Sequence, residues 1–341
     1  MSGVRSRPLV SVAVPCRNEG RYLDEALRSI ARQSAGDFEV VISDDASGDD
    51  SPAIAAAWCG RDPRFRLVRN PSRLGMTENW NRALAECRGR FVAKLDGDDA
   101  WEPRCLELLL AEVGATAGPV AALCRAVECD ERLAPIGPWH GEAAFRRAGL
   151  DVAARRVENG NFFWRLSLGE FQLWHSDAFL LPRAELAALG GFDERWSCAS
   201  DTAFYLRLLG LDRPVAHTGT IGVRYRRHPG SVSATFAAHG WKELEGLLVR
   251  LDALALDARR LARGSRAVRQ VWFQTARDLG ALAARRELWA EMPPELRAKL
   301  ERAVAASPPP PLAVRLEGGL RLSVWRLLRP FRAPRIPGTT Q

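Results

Sequence analysis

Through the first 130 residues the chain alternates short apolar runs with amphipathic stretches. Leu9–Val14 (LVSVAV), Phe38–Ser43 (FEVVIS), Phe65–Val68 and Phe91–Leu95 have the length and β-branched content of buried strands. Between them, Tyr22–Gln33 sets Leu23, Ala26, Leu27 and Ile30 on one helical face. Residues 52–59 follow a Ser-Gly-Asp turn and carry Pro52 at the first helical position. Thr77–Cys87 reads as a third helix, and Glu102–Val113 as a fourth with leucines at 106, 109 and 110. Strand and helix alternating at this rhythm predict an α/β fold with a doubly wound, mostly parallel sheet flanked by helices.

The rhythm loosens afterwards. Val120–Cys129 reads as another strand. Residues 131–170, rich in Gly, Pro, Arg and aromatics, read as an irregular insert that holds an acceptor or a lid, or simply packs on the surface. Phe179–Leu181 is strand-like, Ser200–Leu209 helical and Ile221–Tyr225 a late strand. From Trp241 to about Ala306 the pattern is helical, with Leu244, Leu247, Leu248 and Leu251 at i, i+3, i+4 and i+7. Ser307–Pro311 is a proline linker. Beyond it Leu320, Val324, Leu327 and Leu328 return to helical spacing among arginines.

Composition narrows the class. The 341 residues suffice for one large α/β domain and an appendage. Seven cysteines without a Cys-x-x-Cys pair argue against structural zinc and a disulfide framework, and point to buried reduced thiols. The first eight residues are polar and basic, unlike a signal peptide, and no apolar run reaches the roughly 18 residues of a membrane span. A cytoplasmic protein is expected. The net charge of +8 is concentrated in the tail, where Arg315, Arg321, Arg326, Arg329, Arg332 and Arg335 face one acid, Glu317. Two readings stand for residues 313–336: a helix lying on an anionic membrane, peripheral at the inner face of the plasma membrane, or a helix docked on the main domain.

The chemistry is expected where the fourth strand stops. Phe91–Leu95 ends in Asp96, Asp98 and Asp99, three carboxylates within four residues. Open α/β sheets present ligands outside the carboxyl ends of their strands. Carboxylates this close repel one another unless a cation sits among them, and hard oxygen donors select Mg²⁺ or Mn²⁺. An ordinary acidic turn, or an Asp-Gly hairpin, would use the same residues, although no alternating strand follows. An EF-hand is excluded because Trp101 stands where its glycine belongs. Neither a dinucleotide Gly-x-Gly-x-x-Gly nor a Gly-Lys-Ser/Thr phosphate loop follows the first strand.

Taken in order, VSVAVPCRNEGRYLDEALRSIARQS, VVISDDASGDDS, LDGDDAWEP, LGGFDE with Ser200-Asp201, and RYRRHPGSVS resemble the inverting family 2 glycosyltransferases of GT-A fold over roughly Val10–Ser233. The resemblance implies a metal-dependent transfer of sugar from a nucleoside-diphosphate sugar, most simply a UDP-sugar, to a hydroxyl of a glycan or lipid-linked acceptor. It implies nucleotide contacts from Pro15, Arg17, Glu19, Asp45 (to the pyrimidine) and Asp96. Asp98 and Asp96 would hold Mg²⁺ or Mn²⁺, and Asp201 would be the general base. Arg224, Arg227 and His228 would face the diphosphate or acceptor. Ser200 departs from the family's usual glutamate, removing a helper carboxylate beside the base. The implied division is a GT-A domain over 1–236 (nucleotide half about 8–130, acceptor half about 131–236), a helical extension over 237–306, and the linker and basic tail over 307–341.

Other classes fit less well. A sugar-nucleotide pyrophosphorylase needs a glycine-rich, lysine-bearing loop that PCRNEG does not supply. A non-catalytic nucleotide-sugar-binding or membrane scaffold has little use for Asp96, Asp98 and Asp201 in a basic protein. Nucleic acid is not an expected partner, because the acidic turn repels phosphate and no nucleic-acid motif is present.

Overall fold

The computed structural model describes residues 7–113, 118–169, 172–256 and 291–306. Within them the chain runs β1 (Val10–Cys16), α1 (Leu23–Ala31), β2 (Phe38–Asp44), α2 (Ser51–Arg61), β3 (Phe65–Arg69), α3 (Met76–Ala85), β4 (Phe91–Lys94), β5 (Ala100–Trp101) and α4 (Cys105–Val113). It continues through β6 (Ala121–Cys129), β7 (Pro135–Pro138), α5 (Glu142–Arg147), β8 (Arg156–Asn159), α6 (Gly160–Gly169), β9 (Phe179–Pro182) and α7 (Arg183–Leu189). Then come α8 (Ser200–Gly210), β10 (Pro214–Arg226), α9 (Val232–Ala238), α10 (Trp241–Leu256) and α11 (Pro294–Ala306). The tail and its membrane reading, with the proline linker, lie outside the described residues.

Ten strands form one sheet in the order β3-β2-β1-β4-β9-β6-β10-β5, with β7 beside β6 and β8 beside β10. The four strands from β3 to β4 are parallel, and β6 and β10 run the same way, so six of the ten share one direction. Every residue of β1 is buried, as expected for a central parallel strand covered on both faces. β2 and β3 continue to one side of β1, whereas β4 pairs with its other side. The strand order therefore reverses between β1 and β4, which places the expected ligand crevice at their carboxyl ends.

Residues 131–170, expected to be irregular, contain β7, α5, β8 and α6. Their signal is weak because the elements are short and the strands sit at sheet margins. β7 is largely exposed, and β8 alternates only between exposed and half-buried positions. The last strand is also much longer than Ile221–Tyr225. Irregularities between His217 and Val223 interrupt its pairing and broke the periodicity. All seven cysteines are free thiols, and six of them are buried.

The described chain forms two compact units, Met1–Glu194 with Phe204–Ser231, and Arg195–Ala203 with Val232 onward. The short segment carrying Asp201 groups with the chain from Val232 onward. Among the described residues no helix is long and apolar enough to cross a membrane.

Candidate active site

Topology assembles four chain segments at one sheet edge. β1 ends at Cys16 and releases Arg17 and Glu19; β4 ends at Lys94 and releases Asp96, Asp98 and Asp99. β9 is antiparallel to β4, so the residues just before it, His175, Ser176 and Asp177, arrive beside the end of β4. β5 is antiparallel to β10, pairing Ala100 with Arg224, and this lays Asp98 and Asp99 against Arg226.

At the bottom of the site lies Lys94, the polar residue that interrupts the β4 apolar run. Its side chain is fully buried. Nζ donates to Asp177 Oδ1 at 2.6 Å and Asp96 Oδ1 at 2.7 Å, and lies 4.1 Å from the Trp80 ring centre. Burial alone would pull this ammonium down, but Asp177 and Asp96 outweigh it and hold it above the ordinary lysine value. Asp177 is kept below the usual carboxylate range, its burial overcome by Lys94 and then His175. Its Oδ2 also accepts the Asp96 backbone N–H at 3.0 Å, which fixes the first residue of the acidic turn.

Around this braced layer the buried carboxyl groups raise one another. Burial and the neighbouring Asp177 push Asp96 up to about 8. Glu19 is driven well above its ordinary value by burial, then by Asp98 and Asp96. Its Oε2 is buried without a hydrogen-bond partner. Gly97 is required there, because a Cβ on residue 97 would run into that Glu19 oxygen, with Cys16 Cβ at 3.1 Å and Leu23 Cδ1 at 3.2 Å behind it. The Asp-Gly-Asp spacing thus has a steric cause: the glycine lets Glu19 enter between the two aspartates. Burial and Asp98 likewise raise Asp99 well above its usual value.

Arg226, which stands between Arg224 and Arg227, is the clamp on this turn and is 1% exposed. Its backbone N–H donates to Asp99 Oδ1 at 2.8 Å, Nε to the Asp98 carbonyl at 2.6 Å, and Nη2 to Glu25 at 2.7 Å. The guanidinium also covers the Tyr22 ring at 4.5 Å. Of the three basic residues expected at the diphosphate, His228 reaches the turn, with Nε2 3.0 Å from Asp98 Oδ2. Arg224 and Arg227 do not. Arg224 is paired with Glu102 at 2.7 Å and the Leu133 carbonyl, and Arg227 points to Glu128 at 3.4 Å. Those acids and carbonyls compete successfully for the guanidinium groups.

Pro15 is buried at the end of β1. Arg17, two residues on, keeps a buried Nη1 without a partner. Asp45 is 2% exposed. Its carboxylate accepts from Asn70 Nδ2 at 3.1 Å, the Leu74 N–H at 2.7 Å and the Gly75 N–H at 3.0 Å. It therefore latches the 70–75 loop beside the β2 end. Asp201 lies in the other unit, on the first turn of α8 and 5% exposed, its Oδ1 accepting the Thr202 N–H at 2.6 Å.

Two donor sets stand at the turn, and among the described residues only the second brings three donor atoms within 4.8 Å of one another. Glu19, Asp96 and Asp98 offer crowded carboxylates with one oxygen unpartnered, which are the charges a cation would relieve. The second set is Asp99, His175 and Asp177. In that second set Asp177 is already neutralised by Lys94, and all three residues are buried.

Residues 11–160 match the model of glycosyl transferase family 2. Glycosyltransferase GlyG of Streptococcus pneumoniae is 30% identical over 243 residues, 68% of this chain and 75% of that protein. The chain belongs to glycosyl transferase family 2. An uncharacterized Mycobacterium tuberculosis protein is 38% identical over 126 residues, 37% of this chain, and the match spans 39% of that relative's length. Among solved structures, S. aureus TarS 1–349 in complex with UDP-GlcNAc shares the fold, with a TM-score of 0.59 at 15% identity over 88% of this chain and 81% of that one.

Proposed function

We propose that the chain is an inverting glycosyltransferase that takes a UDP-sugar and a divalent cation, Mg²⁺ or Mn²⁺, at the β1–β4 crevice and delivers the sugar to a hydroxyl of a glycan or lipid-linked acceptor. The observation that carries this reading is the unpartnered Glu19 carboxylate oxygen, inserted beside Gly97 between Asp96 and Asp98. Buried carboxyls that raise one another in this way mark a candidate site, and a bound cation would favour their ionised forms.

Asp98 and Asp96 would hold the cation with Glu19 beside them. When bound, the cation stabilises the negative charge that builds on the departing diphosphate. Arg17, with its partnerless Nη1, and His228 offer donors to the same phosphates, while Pro15 and Asp45 border the nucleotide. The Asp45 carboxylate accepts three hydrogen bonds from the loop and retains acceptor capacity for a pyrimidine N–H. Asp201 would take the proton from the acceptor hydroxyl, a role worth about 10²–10⁴-fold in rate. One base and a single displacement invert the anomeric centre, so a second catalytic carboxylate is unnecessary.

The test begins with binding. A UDP-sugar at 100 times its Kd adds about 2.7 kcal/mol to stability. A thermal shift with UDP-GlcNAc or another UDP-sugar should require Mn²⁺ or Mg²⁺ and disappear in Asp98→Asn. Asp201→Asn should keep the shift and lose transfer. A metal-independent shift surviving in Asp98→Asn would remove the site assignment; normal transfer by Asp201→Asn would remove the base.

A further inference from the structure

Within the unit formed by Arg195–Ala203 and Val232 onward, one carboxylate is completely buried and plays no part in the crevice described above. Glu245, on α10, has no solvent exposure. Its Oε2 accepts the backbone N–H groups of Ser197 at 3.1 Å, Cys198 at 2.6 Å and Ala199 at 3.0 Å, and its Oε1 accepts that of Ser197 at 3.0 Å. These three peptides immediately precede Ser200, the first residue of α8, whose first turn carries Asp201. A second tie lies one heptad along α10, where Asp252 Oδ2 meets Arg195 Nη2 at 2.8 Å. The segment is therefore fastened to α10 at both Arg195 and Ser197–Ala199.

Sealing a carboxylate from water is costly unless its oxygens are satisfied, and charge-assisted bonds to fixed peptide N–H groups satisfy them. Any rearrangement of 197–199 would strand the Glu245 oxygens, so one backbone path into α8 is favoured over its alternatives. Cys198 lies in the field of both acids. Burial drives its thiol up, Lys242 draws it down, and both Glu245 and Asp201 push it up further.

We propose that Glu245 is a positioning residue for Asp201: by gripping the peptides of Ser197–Ala199, α10 fixes the entry into α8 and with it the placement of the base. The proposal rests on the reading of Asp201 as the base.

The experiment is a double-mutant cycle in the full chain, using Glu245→Gln, Asp201→Asn and the pair, with UDP-sugar transfer and UDP–Mn²⁺ binding measured on each. Glu245→Gln keeps the size but loses the charge that the three N–H groups grip. It should lower kcat tenfold or more while donor KM and UDP–Mn²⁺ affinity stay within twofold. In the Asp201→Asn background the same change should cost less than twofold, because a residue acting only through the base has nothing left to position. Glu245→Asp, which restores the charge on a shorter stem, should recover part of the loss. Equal losses in both backgrounds, or turnover and donor binding falling together, would make Glu245 a folding element and overturn the proposal. Full activity in Glu245→Gln beside an inactive Asp201→Asn would overturn it too and leave the base standing. An active Asp201→Asn would instead sink the base assignment.

Discussion

Replacing Lys94 by methionine isolates the charge layer beneath the crevice. The substitution roughly preserves volume, so packing against Trp80 survives while the ammonium is lost. Asp177 and Asp96, bonded to Nζ at 2.6 and 2.7 Å, then share one pocket with no cation. Removing one partner of a buried pair costs about 3–5 kcal/mol, because the remaining charge stays uncompensated. At about 2–4 °C per kcal/mol for a unit of this size, the melting midpoint at pH 8 should fall by about 6–20 °C. The deficit should also depend on pH. Asp177 is held below its ordinary value in the native protein, so its stabilising contribution is present above the unfolded carboxylate value and lost in acid. Without Lys94, burial and Asp96 push Asp177 up, and protonation relieves the repulsion. The gap between wild type and Lys94→Met should therefore narrow as pH falls from 8 to 5, and Lys94→Met/Asp177→Asn should regain part of it. Scanning calorimetry or urea titration at several pH values reads this directly. A variant within about a degree of wild type at pH 8 would show that Lys94 is no keystone. A gap that widens in acid would refute the charge argument itself.

Further predictions concern the turn, the cation and the tail. Gly97→Ala forces a Cβ onto Glu19 and should cost about 1–3 kcal/mol as well as weakening UDP–Mn²⁺ binding, read by calorimetry; an unchanged binding constant would detach Gly97 from the site. Asp96 is raised to about 8, so stability without metal is fullest below the unfolded carboxylate value and declines as pH rises through 8. The thermal shift caused by Mn²⁺ should accordingly grow from pH 5 to pH 8, and a shift constant over that range would place the cation elsewhere. Deleting residues 313–341 should reduce co-sedimentation with phosphatidylserine vesicles and leave transfer to a soluble acceptor intact. Unchanged sedimentation would dispose of the membrane reading.

How far the sequence could be read depended on whether a signal lay along the chain or across it. β1 to β4 were visible because central parallel strands are continuously apolar and bounded by turn chemistry. The Asp96–Asp99 cluster was visible because its residues are adjacent. Asp177 and His175 carry no local mark, since only the antiparallel pairing of β9 with β4 brings them beside Lys94. Lys94 itself could be seen as a defect in an apolar strand, but its partners could not. Among Arg224, Arg226 and Arg227 nothing one-dimensional identifies the buried member. That distinction comes from β5, two residues long, laying Asp98 and Asp99 against Arg226. The short elements between 131 and 170 escaped for a related reason, as margin strands need not alternate cleanly.

The hold of Glu245 on Ser197–Ala199 also bears on how such enzymes can be recombined. A crossover near residue 229 resembles a natural seam, because it follows β10, which ends at Arg226, and precedes α9. It would nevertheless hand the peptides at 197–199 to a foreign helix with its own choice of residue at 245. Residues 195–203 and α10 are separate in the chain but fall in one compact unit and are bonded to each other. A chimera that exchanges them together should keep its turnover, whereas one that splits them should bind donor and stall.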